Sequence, residues 1–182
     1  MSGADTRKAA ARLLALCRKQ RLKIATAESC TGGLVAGALT AIAGSSDVVD
    51  CGFVTYSDTA KQKMLGVPAT TLRRHGAVSG ETAAAMAAGA LKNSQADLTV
   101  AITGIAGPGG GSKEKPVGLV YFAAASRDGR RIASSRRYGK IGRARVRERS
   151  VAEALQLLED LAEDLAEDLV EDLVEDLGRK DR

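Results

Sequence analysis

The hydrophobic pattern of this chain switches repeatedly between the period of a helix and the short apolar runs of buried strands. Residues 5–20 carry apolar side chains on one helical face, with Asp5 as the expected N-cap, and residues 22–27 form the first apolar run. The same alternation continues downstream. We predict further helices over 31–42, 58–65, 80–92 and from 143 to about 177, and a short turn or helix over 70–75. Further strands are predicted over 51–56, 98–103, 117–126 and 131–138.

The last two predicted strands are separated by Asp128-Gly129, a turn signal that predicts a β-hairpin. Strands that alternate with helices favour a parallel sheet, and a hairpin adds antiparallel strands to it. We therefore predict an α/β fold, a three-layer α/β/α sandwich with helices on both faces of a mixed, mainly parallel sheet and a late β-hairpin.

The stretch from Thr26 to Gly37 predicts a strand end, a tight turn and a helix start. A helix that starts beside a strand end has unpaired backbone N–H groups, which favour a phosphate or a developing oxyanion. Ser29 lies in the predicted turn. Its hydroxyl either faces a ligand or, in the simpler alternative, serves as the N-cap of the helix.

Three candidate features fall at the carboxyl ends of predicted strands, namely Ser29, Tyr56 and the glycine-rich loop 104–116 after Thr103. Ligands of α/β sheets bind at the carboxyl ends of the strands, so we predict that these features share one site. A loop of this length in a compact domain is usually functional. It lacks the Gly-Lys-Ser/Thr ending of a P-loop and the following helix of a dinucleotide fingerprint, so a flexible crossover is the alternative.

The composition narrows the class of protein. The chain has 182 residues, enough for one domain, and only 3% aromatic residues, so its core is expected to consist of small aliphatic side chains in close contact. Scarce aromatic residues argue against single-stranded nucleic acid as a partner. No apolar run approaches the roughly 20 residues that span a bilayer, and the N-terminus lacks the apolar core of a signal peptide. A cytoplasmic protein without a membrane partner is expected.

The three cysteines, Cys17, Cys30 and Cys51, form no Cys-x-x-Cys pair, so neither a disulfide framework nor a metal site is expected. Cys30 is an alternative nucleophile to Ser29. A thiolate nucleophile usually needs a nearby histidine, and the only histidine, His75, lies in another region of the sequence. Ser29 is therefore the preferred candidate.

A serine hydroxyl needs a base, and no histidine is positioned by the sequence to supply one. Lys61 is a candidate if burial lowers its pKa, with Tyr56 as a relay or orienting group, whereas the simpler interpretation is a solvated helix face. Arg143 and Arg147 are four residues apart and share a helical face that could meet a phosphate. Their simpler interpretation is also a solvated face.

The charge is distributed unevenly. Residues 159–182 contain 11 acidic and 3 basic residues, a net charge of −8, and residues 1–158 contain 24 basic and 11 acidic residues, a net charge of +13. The acidic part repeats Leu-x-Glu-Asp, which predicts an extension of the last helix beyond a domain at 1–158. We hypothesise that this acidic tail folds back on the basic body or on a neighbouring subunit.

Several segments resemble the CinA C-terminal domain family, whose stand-alone members are nicotinamide-nucleotide amidases. The resemblance covers residues 5 to about 158. The matching segments are Thr26-Ala-Glu-Ser-Cys-Thr-Gly-Gly33, Ile42-Ala-Gly-Ser-Ser46, Gly52-Phe-Val-Thr-Tyr-Ser57, Ala60-Lys61 with Met64-Leu65-Gly66-Val67, His75-Gly-Ala-Val-Ser79, Gly104-Ile-Ala-Gly-Pro108 and Lys115-Pro-Val-Gly-Leu-Val120.

The resemblance implies hydrolysis of the carboxamide of nicotinamide mononucleotide to nicotinic acid mononucleotide and ammonia, a step of pyridine nucleotide salvage, without metal or cofactor. It implies Ser29 as nucleophile, Lys61 as general base and Tyr56 as a helper. Backbone N–H groups of Cys30 and Thr31 would suit an oxyanion. The substrate-binding residues implied are Gly32, Gly33, Thr103, Gly104, Gly107, Arg143 and Arg147. A homo-oligomer is expected, and nucleic acid is not expected as a partner.

One departure from the family pattern bears on activity. The family commonly has Gly-Asp-Arg where this chain has Ile141-Gly142-Arg143, so an aspartate is missing. The alternative function is therefore a catalytically weak nucleotide-binding or regulatory module linked to competence or DNA damage.

Overall fold

The computed structural model describes residues 3–180, with side chains described for residues 3–166. Six helices and five strands follow each other along the chain, with a short 3-10 helix at Ser45–Asp47. The helices are α1 Gly3–Gln20, α2 Leu34–Thr40, α3 Asp58–Leu65, α4 Ala69–His75, α5 Gly80–Lys92 and α6 Arg143–Lys180. The strands are β1 Ile24–Glu28, β2 Val49–Val54, β3 Leu98–Gly104, β4 Leu119–Ser126 and β5 Arg131–Arg137.

The five strands form one sheet in the order β2-β1-β3-β4-β5. β1 pairs in parallel with both β2 and β3, while β3–β4 and β4–β5 are antiparallel. The predicted mixed sheet and late hairpin are therefore confirmed. The three parallel strands end at the same edge of the sheet, and this edge carries the candidate site.

Both faces of the sheet are covered by helices. On β3, Leu98, Val100 and Ile102 point into a core with α1, α2 and α6, while Ala101 points into a second core with α3, α4 and α5. Every residue from Leu98 to Thr103 is buried, as expected for a central strand with helices on both sides. The predicted three-layer α/β/α sandwich is confirmed.

The second core consists largely of alanine side chains on the sheet, which lets the helices approach closely. At Gly89 in α5, an added Cβ would collide with the backbone carbonyl of Leu65 at the end of α3. This contact holds α3 against α5. The alanine side chains of the sheet in this core are Ala27, Ala101, Ala123 and Ala125.

Two helices have serine N-caps, whereas the N-cap predicted at Asp5 is wrong. The hydroxyl of Ser57 accepts from the N–H of Ala60 at the start of α3, and that of Ser79 accepts from the N–H of Thr82 in α5. Asp5 lies inside α1, because this helix already includes Gly3.

The second helix begins later than predicted, at Leu34 instead of 31. Gly32 and Gly33 have φ of 61° and 94°, in the left-handed region that interrupts a right-handed helix. The turn after β1 is therefore longer than expected, and it separates Ser29 from the helix. Ser29 is not the N-cap of α2, because Gly33 occupies that position.

The last helix, α6, runs without a break through the predicted domain boundary at 158. Leu158 and Leu161 are fully buried against the first core, and Arg12 of α1 pairs with Glu159 at 3.1 Å. The hypothesis that the acidic tail contacts the body concerns mainly residues beyond 166, which lie outside the described side chains. None of the helices in residues 3–180 is long and apolar enough to cross a membrane.

Candidate active site

Ser29 directly follows β1, at the parallel-strand edge of the sheet. Its N–H donates to the carbonyl of Ile102 on β3 at 2.9 Å, so its backbone continues the pairing of the strand. Its side chain is almost buried, with 9% of the residue exposed. A serine held in this way has a fixed hydroxyl with limited access to water.

Lys61 reaches this hydroxyl from α3. Its Nζ lies 3.2 Å from Ser29 Oγ and donates to the carbonyl of Thr55 at 2.9 Å. Only 1% of Lys61 is exposed, and this burial lowers the pKa of its amine, against the smaller opposing effect of Asp58. The simpler interpretation of Lys61 as a solvated residue is therefore wrong. A neutral amine within hydrogen-bond distance of a serine hydroxyl can accept its proton.

Glu28 is a buried carboxylate that the sequence analysis missed. It accepts hydrogen bonds from the N–H groups of Gly33 at 3.0 Å, Val35 at 3.1 Å and Ala36 at 2.9 Å, and it is fully buried. The N-terminus of α2 thus already binds an anion from its own chain. The expectation that this helix terminus receives a ligand anion is wrong. A glutamate at the end of a buried strand, just before a helix start, was the available signal.

The turn itself keeps two free backbone donors. The N–H groups of Cys30 and Thr31 donate to no acceptor in another residue of the described part of the chain. Burial raises the pKa of the Cys30 thiol to about 11, so this group stays protonated near neutral pH. The structure therefore favours Ser29 over Cys30 as the nucleophile.

Most of the predicted site residues surround one cavity of about 270 Å³. It opens at the ends of β1, β2 and β3, so the predicted convergence of these strand ends is confirmed. The segment between α4 and α5 forms a wall that was not predicted. The lining residues are Ser29, Cys30, Tyr56, Lys61, Ala77, Val78, Thr103, Gly104, Ile105, Ala106, Gly107, Gly109, Gly110 and Arg143.

Arg143 connects two sides of the cavity. Its guanidinium donates to the carbonyl of Gly107 at 3.0 Å and to the hydroxyl of Tyr56 at 2.9 Å. Tyr56 is 60% exposed, and its hydroxyl bonds to Arg143 rather than to Lys61. The amine of Lys61 is oriented instead by the Thr55 carbonyl, a contact that no side-chain pattern in the sequence could reveal.

Arg147 does not line this cavity, although it shares a helical face with Arg143. It donates to the carbonyl of Thr31 at 2.8 Å. The same guanidinium lies next to the position that a Cβ on Gly32 would occupy. Thr31, Gly32 and Gly33 are likewise absent from the cavity lining. These residues shape and support the turn that carries Ser29.

No cluster of three or more histidine, cysteine, aspartate or glutamate side chains within the described residues could hold a metal ion. The side chains that line the cavity supply two hydroxyls, a thiol, an amine, a guanidinium and a phenol, and backbone amides complete it.

We predict that Glu28→Gln lowers the free energy of unfolding by about 3 kcal/mol. The NH2 group of the glutamine would face backbone N–H groups that now donate hydrogen bonds to a carboxylate oxygen. Denaturant unfolding measures this change. Glu81→Gln, in the exposed first turn of α5, is the matched control and should shift the value by less than about 0.5 kcal/mol. Equal effects of the two substitutions would contradict a structural role for the Glu28 carboxylate.

Comparisons with known proteins identify the family and the fold of this chain. The model of the CinA C-terminal domain matches residues 6–162. The crystal structure of competence/damage inducible protein CihA from Agrobacterium tumefaciens superposes with a TM-score of 0.86 at 55% identity, covering 86% of this chain and 95% of that one. An Escherichia coli protein of the CinA superfamily superposes with a TM-score of 0.82 at 36% identity, covering 88% of this chain and 93% of its own.

Two relatives show how the length varies. Nicotinamide-nucleotide amidohydrolase PncC of Escherichia coli K12 is 53% identical over 135 residues, which cover 74% of this chain and 81% of that protein. A CinA-like protein of Synechococcus sp. RCC307 is 51% identical over 157 residues, 86% of this chain and 37% of its own. The chain spans about a third of the length of such CinA-like relatives. On the match of its fold and of residues 6–162, the chain belongs to the CinA C-terminal domain family.

Proposed function

We propose that this chain is an amidase that hydrolyses the carboxamide of nicotinamide mononucleotide to nicotinic acid mononucleotide and ammonia. The observation that carries the proposal is the buried pair of Ser29 Oγ and Lys61 Nζ at 3.2 Å, in which burial lowers the pKa of the amine. The name of the Escherichia coli relative, a nicotinamide-nucleotide amidohydrolase, supports the substrate class.

In the proposed reaction, neutral Lys61 takes the hydroxyl proton as Ser29 Oγ attacks the carboxamide carbon. The protonated amine then gives this proton to the leaving nitrogen, and the C–N bond breaks to release ammonia and leave an ester on Ser29. Water attacks the ester with Lys61 again as the base. Breakdown returns the proton to Ser29 and releases the carboxylate product.

The negative charge that develops on the carbonyl oxygen needs hydrogen-bond donors fixed in advance. We assign this role to the backbone N–H groups of Cys30 and Thr31, which follow the nucleophile directly and donate to no acceptor in another of the described residues. Glu28 and Arg147 hold this turn from its two ends. Arg147 binds the carbonyl of Thr31, which fixes the peptide group between Thr31 and Gly32, next to these donors.

Arg143 is the proposed partner of the substrate phosphate. It lines the cavity, and its present acceptors are a carbonyl and a phenol, both neutral. A phosphate would give the guanidinium charged acceptors in their place, and it can bind the two parallel N–H groups of an arginine at once. Thr103, Gly104 and Gly107 form the adjacent wall of the proposed substrate site. We assign the activity to residues 1–158, since every cavity-lining residue falls between 29 and 143.

The missing family aspartate leaves the catalytic pair in place. Gly142 has φ of 94° and accepts from the N–H of Val146 through its backbone carbonyl, and Arg143 is held by Gly107 and Tyr56 without an aspartate. The alternative of a nucleotide-binding or regulatory module predicts binding without release of ammonia. Incubation of the purified protein with nicotinamide mononucleotide, with ammonia as the readout, separates the two functions.

We predict that Ser29→Ala and Lys61→Met each reduce ammonia release by at least about 1000-fold, since each removes one member of the nucleophile–base pair. Lys63→Met, an exposed lysine in the same helix, is the matched control and should leave the rate unchanged. Circular dichroism checks that each variant is folded. A folded Lys61→Met variant with near-normal turnover would exclude Lys61 as the base.

The rate should depend on pH through Lys61. Its pKa is lowered in the folded protein, so the active neutral amine forms at a lower pH than in an ordinary lysine. We expect kcat/KM to rise with pH to a plateau, with an inflection below the usual lysine value of about 10.4. If kcat/KM of the folded protein still rises steeply with pH above the usual lysine pKa, the base is not a desolvated lysine.

Arg143→Met should raise the KM for nicotinamide mononucleotide by about 30-fold or more, because a charged partner of the phosphate is lost. Hydrolysis of nicotinamide riboside, which lacks the phosphate, should change much less. Arg145→Met removes an exposed arginine two residues further along the same helix and serves as the control. Equal losses for both substrates would show that Arg143 acts on the shape of the cavity and not on the phosphate.

A further inference from the structure

The segment between α4 and α5 forms one wall of the cavity through Ala77 and Val78. It is irregular in backbone conformation, yet four consecutive carbonyl groups in it each accept a hydrogen bond from a side chain. The bonds are Lys115 Nζ to His75 O at 2.5 Å, Thr82 Oγ1 to Gly76 O at 2.7 Å, Thr103 Oγ1 to Ala77 O at 2.6 Å and Lys115 Nζ to Val78 O at 2.7 Å.

Lys115 supplies two of these bonds from the glycine-rich loop, which forms another wall of the same cavity. Its ammonium bridges the carbonyls on both ends of the segment, so one side chain joins two walls that are 37 to 40 residues apart in sequence. Carbonyl oxygens are good ligands for an ammonium group, and both bonds are charge-assisted.

The loop presents Lys115 through a closed turn. The N–H of Ser112 donates to the carbonyl of Lys115 at 2.8 Å, and the N–H of Lys115 donates to the hydroxyl of Ser112 at 3.0 Å. The hydroxyl of Ser112 in turn donates to Glu114 at 2.9 Å. The backbone of this turn is thus fixed on both sides of the lysine, which gives the ammonium a defined position.

These bonds decide which groups of the wall remain for a ligand. In a planar trans peptide the N–H and the C=O point in opposite directions, so a fixed carbonyl also fixes the N–H of the next residue. The hydroxyls of Thr82 and Thr103, which bind the carbonyls of Gly76 and Ala77, therefore orient the N–H groups of Ala77 and Val78, while Lys115 holds the carbonyls on either side of these two peptide groups. The N–H groups of Ala77 and Val78 have no acceptor in the part of the chain that the structure describes, and both residues line the cavity. They are donors held in a set direction.

We propose that Lys115 is a positioning residue for substrate binding, which holds the 75–78 segment so that the N–H groups of Ala77 and Val78 bind an acceptor atom of the substrate. The inference rests on the proposed amidase function for the identity of the substrate. Lys115 does not touch Ser29 or Lys61, so its removal should weaken binding and leave the chemical step nearly intact.

The test compares Lys115→Met, Lys115→Arg and the matched control Lys113→Met, an exposed lysine of the same loop. We expect KM for nicotinamide mononucleotide to rise about tenfold or more in Lys115→Met with kcat within about threefold of the wild type, as for a loss of binding alone. Lys115→Arg keeps the charge and several donors and should recover most of the affinity. Lys113→Met should match the wild type.

A second measurement does not depend on turnover. Hydrogen exchange of the free protein should speed up at the amides of 75–79 and of the loop in Lys115→Met, and not in Lys113→Met. If exchange speeds up in Lys115→Met but the wild type releases no ammonia, the amidase function is rejected, and Lys115 is retained as the residue that orders this wall. Unchanged exchange in Lys115→Met would reject the inference.

A merely structural role is distinguished by the same set. Uniform destabilisation would lower the melting temperature and accelerate exchange across all elements, without a selective rise in KM. A KM for Lys115→Met within about twofold of the wild type would likewise overturn the proposal. If Lys115→Met does not fold, Lys115→Arg decides. Its KM and its exchange at 75–79 should stay near the wild-type values, and the rise in KM and in local exchange expected for loss of the lysine would contradict the proposal.

Discussion

The site depends first on the carboxylate of Glu28. A fully buried negative charge is costly unless hydrogen bonds replace its hydration. Here the first turn of α2 supplies three N–H donors, which helix geometry leaves without partners in any case. Each group satisfies the other, and the chain between them is forced into a tight turn. Ser29 and its two following amides lie in that turn.

This arrangement separates two tasks that a helix terminus often performs together. The terminus of α2 stabilises a charge of the protein itself, and the free amides of the turn remain for the ligand. The electrostatic field of the helix therefore fixes the scaffold. In the proposed mechanism the chemistry falls to groups brought by other elements, namely the amine of Lys61 from α3 and the guanidinium of Arg143 from α6.

Much of the architecture could be predicted from sequence because it follows local rules. The predicted helices 58–65 and 80–92 match α3 and α5, which begin directly after the serine caps Ser57 and Ser79. The positions of Ser29 and Tyr56 at the ends of predicted strands indicated a common edge. Lys61 could not be chosen by spacing, since its contact with Ser29 depends on how α3 packs across α5 at Gly89. The family resemblance supplied that residue. Arg147 was expected at the cavity because it lies four residues after Arg143 and shares its helical face. This spacing does not determine which group each side chain reaches, and Arg147 binds the Thr31 carbonyl instead.

The burial of Lys61 has a consequence for the whole fold. Its pKa is lower in the folded than in the unfolded chain, so the unfolded state binds more protons between the two values. The favourable contribution of this group to stability is full above the unfolded pKa of about 10.4 and declines as the pH falls to the folded pKa. At lower pH the folded protein must keep an ammonium away from water. The same desolvation that would make Lys61 a base thus makes the native state less stable than an apolar residue would, and the rest of the core has to offset that loss.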